Sequence, residues 1–285
     1  MNNASAPRRL VDIVWRAALA FALTALVGGI WTVLLATNLA TSAVVPWSVV
    51  VMVALLWALW RYLGGAWRPR HTADARRQLL RARRVSAPTL TWAMAAGLLS
   101  IVALAGLWIV LFQLAQLPAR TLPDYSRYPL VTVALALVMA SLVNAVAEEA
   151  LFRGYLQGAL EGQVGGVAAI LITTLVMAPE HALTQGFVWP TLLFYFAVDV
   201  MLGVTAYLTQ SILPGIVIHS IGLLVFFTLV WPGDMLRRFI GQFDANTWLW
   251  IHTAQVIVFA ALAILAFLQL ARRTQEPHAL QARLA

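Results

Sequence analysis

Cysteine is absent from the 285 residues, so the chain forms no disulfide and offers no thiolate as nucleophile or metal ligand. Its redox compartment is left undetermined by that absence. Lysine is absent too, and all 19 basic residues are arginine. Charged residues of both signs make up only 11% of the chain, against about a quarter in an ordinary soluble domain. Apolar residues make up 62%, and the mean hydropathy is +0.84. A chain this poor in charge reads as a polytopic membrane protein, an all-α bundle of about eight transmembrane helices. No Pro/Ser-rich linker and no internal repeat divides it. One membrane domain is therefore expected over 1–285: a three-helix part with a basic connector (1–128), a core (129–231), and a last helix with its tail (232–285). No cleavable signal peptide is expected, because the first apolar run is long enough to span and lacks a clear small-residue cleavage site.

The net charge of +8 and a pI near 11.0 would, taken alone, suggest nucleic acid. The arginines instead cluster at the ends of apolar runs, as topology signals do, so no nucleic-acid partner is expected. The twelve tryptophans suit an interfacial belt, with some filling helix contacts. Runs of about 20 residues, the length that a ~30 Å hydrocarbon core requires, are expected as helices at Ala17–Thr37, Val44–Leu63, Leu90–Leu114, Pro129–Leu160, Val167–Leu183, Trp189–Leu208, Ile212–Val230 and Thr247–Leu270. With the N-terminus inside, 14 arginines fall on the inner side and four (Arg120, Arg127, Arg237, Arg238) on the outer, leaving Arg153 in the membrane. That asymmetry predicts cytoplasmic termini in a plasma or inner membrane, with membrane lipids as partners. The oligomeric state is not readable. The connector Trp67–Ser86 is dense in arginine. Either its Arg76–Arg84 part forms an amphipathic surface helix with Leu79 and Leu80 toward lipid, or it is a solvated topology determinant.

The costliest residues lie in the fourth run, which contains Asn144, Glu148, Glu149 and Arg153. An ionisable group at mid-bilayer costs roughly 2.5–3.5 kcal/mol on insertion scales. On a helix, Asn144 and Glu148 share one face a turn apart, and Glu149 with Arg153 forms an acid-before-base i,i+4 pair. Glu148 is then freer to face a cavity, although a purely structural ion network satisfies the same spacing. His181 follows Glu180 near Pro179, where the fifth run is expected to be disturbed. His219 lies in the seventh run beside Ser220, and Asp199 is an intramembrane acid of the sixth. Glu with His is the equipment for activating water. Counted at 1.5 Å per residue from inner helix ends, His219, Glu148 and His181 lie about 12, 18 and 22 Å deep. Counted from Pro129, Glu148 lies about 28 Å from the outer face, so the fourth run is too long for both counts. His71, His252 and His278 are read as ordinary surface residues.

Glu148-Glu149-Ala150-Leu151-Phe152-Arg153-Gly154 resembles the E-E-x-x-x-R motif, with its following Gly, of the CAAX-protease and bacteriocin-processing (CPBP) family of intramembrane endopeptidases. The family is also called the type II CAAX prenyl protease or ABI family. Met177–His181 resembles its F-x-x-x-H, and His219 the start of its H-x-x-x-N/D. The likeness covers roughly Val131–Val230. It implies that Glu148 polarises the attacking water, assisted by Glu149 and Arg153. His181 and His219, with Glu148, would bind zinc or another divalent metal; in a metal-free account the histidines orient water and stabilise the oxyanion. The implied substrate is a membrane-associated or lipidated peptide, of the CAAX prenylated type in one branch of the family. Two positions depart from the pattern: Met177 replaces Phe, and Leu223 replaces the Asn or Asp expected four residues after His219. Asp199 or Ser220 is a stand-in for the lost group, Glu180 a candidate partner of His181, and Asn144 a cavity candidate. Two other functions stay open. One is a catalytically silent relative acting as membrane scaffold or bacteriocin-immunity protein, which Leu223 favours. The other is a proton-coupled transporter relaying through Asp199, Glu148 and Glu149.

Overall fold

The computed structural model of the chain describes residues 6–115, 125–231 and 247–284. Among them every regular element is a helix and no strand occurs, so the expected all-α fold holds. The helices are α1 (Ala6–Thr41), α2 (Trp47–Leu63), α3 (Ala73–Leu80), α4 (Ala87–Leu114), α5 (Leu130–Val164), α6 (Gly166–Gln185), α7 (Trp189–Thr209), α8 (Leu213–Val225) and α9 (Thr247–Leu284). Within α5 the chain is α-helical to Glu148, π-helical over Glu149–Gln157 and α-helical again from Gly158. A π-helical turn, Phe226–Val230, also continues α8. The expected outer-side arginines Arg120, Arg237 and Arg238 lie outside the described residues.

All eight apolar runs are helical, but six helices (α1, α4, α5, α7, α8 and α9) are long and apolar enough to cross a membrane by length and composition. The other two apolar helices are shorter, Trp47–Leu63 and the stretch Gly166–Ala178 of α6. At 1.5 Å per residue, α2 covers roughly 26 Å, a few ångström less than a hydrocarbon core. The count of eight full spans is thus not what the fold establishes. Boundaries moved for local reasons. Helix α1 starts well before Ala17, because Asp12 and Arg16 pair at 2.9 Å one turn apart and carry the polar lead-in as helix. The only break between α5 and α6 falls at Gly165, whose φ of +84° suits glycine; Gly162 stays inside the helix. The expected disturbance at Pro179 does not end α6, which runs on to Gln185.

The chain folds as two compact units. One comprises the described residues of Met1–Arg83 and Asp124–Met177, the other those of Arg84–Pro123 and Ala178–Ala285. The division passes through the connector and through α6.

In the first unit, buried Asn38 ties the α1–α2 turn. Its amide donates to the Ser42 and Val45 carbonyls (2.6 and 2.8 Å) and its oxygen accepts from Ser48 N–H (2.9 Å). Thr132 at the start of α5 donates to Ala43 O at 2.7 Å, fastening α5 to the same turn. Ala20, Leu151, Phe152, Leu156, Leu160, Ala169 and Met177 form one core cluster, which places α1 and α6 against the π-helical part of α5.

The second unit is built on close helix approach. Gly106 of α4 faces Gln255 of α9, whose amide donates to Val102 O at 2.7 Å. Trp108 sits among Phe112, Phe194, Tyr195 and Phe226, edge-on to Phe194 at 4.7 Å and to Phe226 at 5.0 Å. Gly97 lies under Ile218, so that a Cβ there would stand 2.5 Å from Ile218 Cδ1. Small residues at such crossings let helices approach where lipid offers no hydrophobic drive for association. Gly97→Ala is therefore expected to cost about 1–3 kcal/mol through overpacking. Ile218→Ala alone is expected to cost about 2–5 kcal/mol through its cavity. The double variant should lose less than the two single losses added. Thermal unfolding in detergent measures this, and strictly additive losses would show that the two residues do not meet.

Candidate active site

The candidate residues divide between the units. Asn144, Glu148, Glu149, Arg153 and Met177 belong to the first; Glu180, His181, Asp199, His219 and Ser220 belong to the second.

In the first unit, Glu148 lies near the midpoint of α5, at the last α-helical residue before the π-helical segment. Segments with i→i+5 bonding are uncommon and occur often at functional sites, because the wider turn re-aims side chains that regular helix would align. Arg153 keeps its partner across that wider turn: Nε stands 3.7 Å from Glu149 Oε1. At that distance the attraction is Coulombic rather than a hydrogen bond. The same guanidinium donates from Nη1 to the sulfur of buried Met177. The residue that replaces the expected Phe thus contributes a weak acceptor where a phenyl ring has none. Glu149 and Arg153 are fully buried at 0% exposure, whereas Glu148 retains 8%. Asn144, one turn earlier, is half-buried.

The connector completes this arrangement, which neither of its two expected roles anticipated. Leu80 is buried in the protein rather than turned to lipid, and Arg81 is buried rather than solvated. The end of α3 docks on the π-helical segment at Gly154, where a Cβ would stand 2.9 Å from Leu79 O and 3.0 Å from Leu80 O. That close approach is the local reason for the motif's glycine. Arg81 then adopts a left-handed φ of 54°, a conformation that costs a non-glycine residue about 1–2 kcal/mol. Its guanidinium reaches Glu161 Oε1 at 2.9 Å, and the same oxygen accepts from Gln157 Nε2 at 3.0 Å. A second tie lies nearby: Gln163 Nε2 donates to Asp12 Oδ2 at 3.0 Å, and Arg16 stacks over Tyr155. Sequence reasoning missed Arg81, Gln157 and Glu161. The available signal was an acid, Glu161, close behind the motif, which needed a counter-charge.

In the second unit, buried Asp199 of α7 points a carboxylate oxygen at His181 Nε2, 3.9 Å away, and Tyr195 stacks flat on the imidazole with 4.0 Å between ring centres. The ring is held from its face by Tyr195 and approached at its edge by Asp199. His219 is buried on α8. Ser220 donates to Ile216 O of its own helix at 2.7 Å, which occupies its proton locally. His252, read as an ordinary surface residue, is half-buried and bonds Gln255 through Nδ1 at 2.9 Å. Among the described residues, no three His, Cys, Asp or Glu side chains are grouped so as to hold a metal ion.

A helical bundle with six helices long and apolar enough to cross a membrane, a buried acid–arginine pair in one unit and a buried His219 with a half-buried His181 in the other, belongs to the class of polytopic integral membrane proteins. Residues 130–225 match the family model described as type II CAAX prenyl endopeptidase Rce1-like. No curated protein and no solved structure gives a significant match.

The geometry predicts that Arg81→Ala and Glu161→Ala each destabilise the protein by about 1–3 kcal/mol, the range for a hydrogen bond to a charged group. The double variant should lose clearly less than both together. Gly154→Ala should lose about 1–3 kcal/mol by overpacking against backbone that has no side chain to yield. Thermal unfolding of the purified protein checks all four variants. Wild-type stability in Gly154→Ala would mean that α3 does not seat where described.

Proposed function

We propose that the protein is an intramembrane endopeptidase that hydrolyses a peptide bond of a membrane-associated or lipidated substrate, with the CAAX prenylated type as one candidate. The observation that carries this reading is the Rce1-like match over 130–225, a segment that contains Glu148, Glu149, Arg153, His181, Asp199 and His219. In the proposed reaction Glu148 takes a proton from water as the water oxygen attacks the scissile carbonyl carbon. Imidazole N–H groups of His181 and His219 donate to the developing oxyanion, and the proton held by Glu148 passes to the departing amine. Glu149 and Arg153 hold one another and fix the helix that presents Glu148. Asp199, beside His181 Nε2 at 3.9 Å, and Tyr195, stacked on the ring, set the orientation of the imidazole. A divalent metal such as zinc on His181 and His219 with Glu148 rests on family resemblance alone, and no step here runs through it. Substrate entry is assigned to the cytoplasmic side, on the arginine asymmetry of the loops.

One observation favours a second reading. Leu223 occupies the position of the expected Asn or Asp and brings neither donor nor ligand, which suits a silent relative that binds peptides without cutting them.

The test is purified protein with membrane-tethered peptides, lipidated and not. Glu148→Ala and His219→Ala are expected to lower cleavage by at least about 100-fold, the lower range for removal of acid–base groups. Asp199→Asn should depress kcat more than KM. Cleavage that survives both alanine changes sinks the catalytic assignment. Peptide binding without cleavage in the wild type selects the silent reading.

A further inference from the structure

The connector between α2 and α4 carries charge that neither the proposed hydrolysis nor the docking of α3 uses. Its one acid, Asp74, is paired with Arg77 of the same helix, and Glu161 is paired with Arg81. Arg61, Arg68, Arg70 and Arg76 have no acidic partner among the described residues. Topology signals need no fixed shape, but this segment is folded. Arg76 donates to Tyr62 O (2.7 Å), Trp67 O (2.6 Å), Pro69 O (3.2 Å) and the Thr72 hydroxyl, and its guanidinium lies over the Tyr62 ring at 4.4 Å. All four acceptors are neutral, so the staple folds the loop without cancelling its charge.

The staple places Arg68 and Arg70, which flank Pro69, on the same platform as the end of α2. There Trp57 and Trp67 meet edge to face at 5.6 Å, with Arg61 over Trp57 at 5.9 Å. Both indoles are largely exposed (58% and 41%), as are Arg61, Arg68 and Arg70. Exposed indole rings at the end of a short apolar helix mark the headgroup level of a bilayer. Guanidinium groups beside them present paired donors that match phosphate oxygens.

The geometry points to a binding site for an anionic phospholipid headgroup on this platform. Arg61, Arg68 and Arg70 take the phosphate, Trp57 and Trp67 lie along the glycerol and upper acyl region, and Arg76 holds the surface in shape. The inference stands independently of the hydrolase reading. Because the platform continues into α3, a bound headgroup also steadies the helix whose end seats on Gly154.

The experiment is native mass spectrometry of the full chain in neutral detergent, supplied with equal phosphatidylglycerol and phosphatidylcholine. Wild type is expected to retain phosphatidylglycerol preferentially. Arg68→Gln/Arg70→Gln should reduce that preference by about tenfold or more, since each basic group near an anionic headgroup contributes substantially. Arg272→Gln/Arg273→Gln, which removes the same charge where the apolar stretch of α9 ends, should leave it within about twofold. The platform side chains are exposed, so the thermal unfolding midpoint should not move. Equal retention of the two lipids, or equal loss in both variants, overturns the site in favour of diffuse attraction. Displacement of phosphatidylglycerol by millimolar inorganic phosphate overturns the lipid assignment in favour of a soluble phosphate ligand.

Discussion

A charge buried in an apolar helix bundle must find its compensation inside the protein, and the pairing of Glu149 with Arg153 is where this chain meets that constraint. Both groups are sealed from solvent, 3.7 Å apart, on a helix rich in alanine, leucine and valine. Removing one partner of such a pair strands the other, at about 3–5 kcal/mol, so neither position tolerates independent change. The arginine also sets its surroundings. Besides the Glu149 carboxylate it takes the Met177 sulfur, which brings α6 against the same turn. The pair thereby fixes the face of α5 that meets α6, and with it the direction in which neighbouring Glu148 is presented.

The π-helical segment and the connector belong to the same physical problem. A π-helical stretch gives up regular i→i+4 bonding, and such stretches persist where surrounding packing holds them. Here the holding element is α3. Its last carbonyls rest on Gly154, the side chain of Arg81 lies against Gly158, and the charge of Arg81 is met by Glu161 beyond. Glycine at 154 is required by that approach of backbone rather than by conformational freedom, and glycine at 158 leaves room for the Arg81 side chain. The left-handed conformation of Arg81 is strain that its ion pair and the seating of Leu80 offset. A loop that composition would class as solvent-facing is in this way part of the framework behind the motif.

Much of this was legible in the residues themselves. The helices followed from apolar run length, and the Glu149–Arg153 pair followed from i,i+4 spacing, which survived the change to π-helix because the two side chains are long. The π-helical segment was not legible, since apolar residues on all sides give no period to distinguish i→i+4 from i→i+5 bonding. Arg81–Glu161 was hidden by an 80-residue separation and by seven other arginines in the same connector region, any of which had equal claim. Six of the eight expected spans are long and apolar enough to cross a membrane among the described residues; hydropathy registers α2 and α6 as apolar without registering how short their apolar stretches are. Met177 looked like a loss relative to phenylalanine until its sulfur was placed beside a guanidinium.

The remaining polar groups bear on what the departure at Leu223 means. On the proposed reading, a site that hydrolyses peptides needs donors held at fixed angles more than it needs any single residue type. Leucine on α8 withdraws one polar group from the vicinity of His219. Ser220 does not restore it, because its hydroxyl is spent on Ile216 of the same helix. In the same unit Tyr195 lies against the face of His181 and Asp199 toward its Nε2. A buried carboxylate is costly to keep unless something depends on it. Packing of His181 against Tyr195 serves a silent scaffold equally well; on the proposed reading, Asp199 beside the ring in addition orients it for donation.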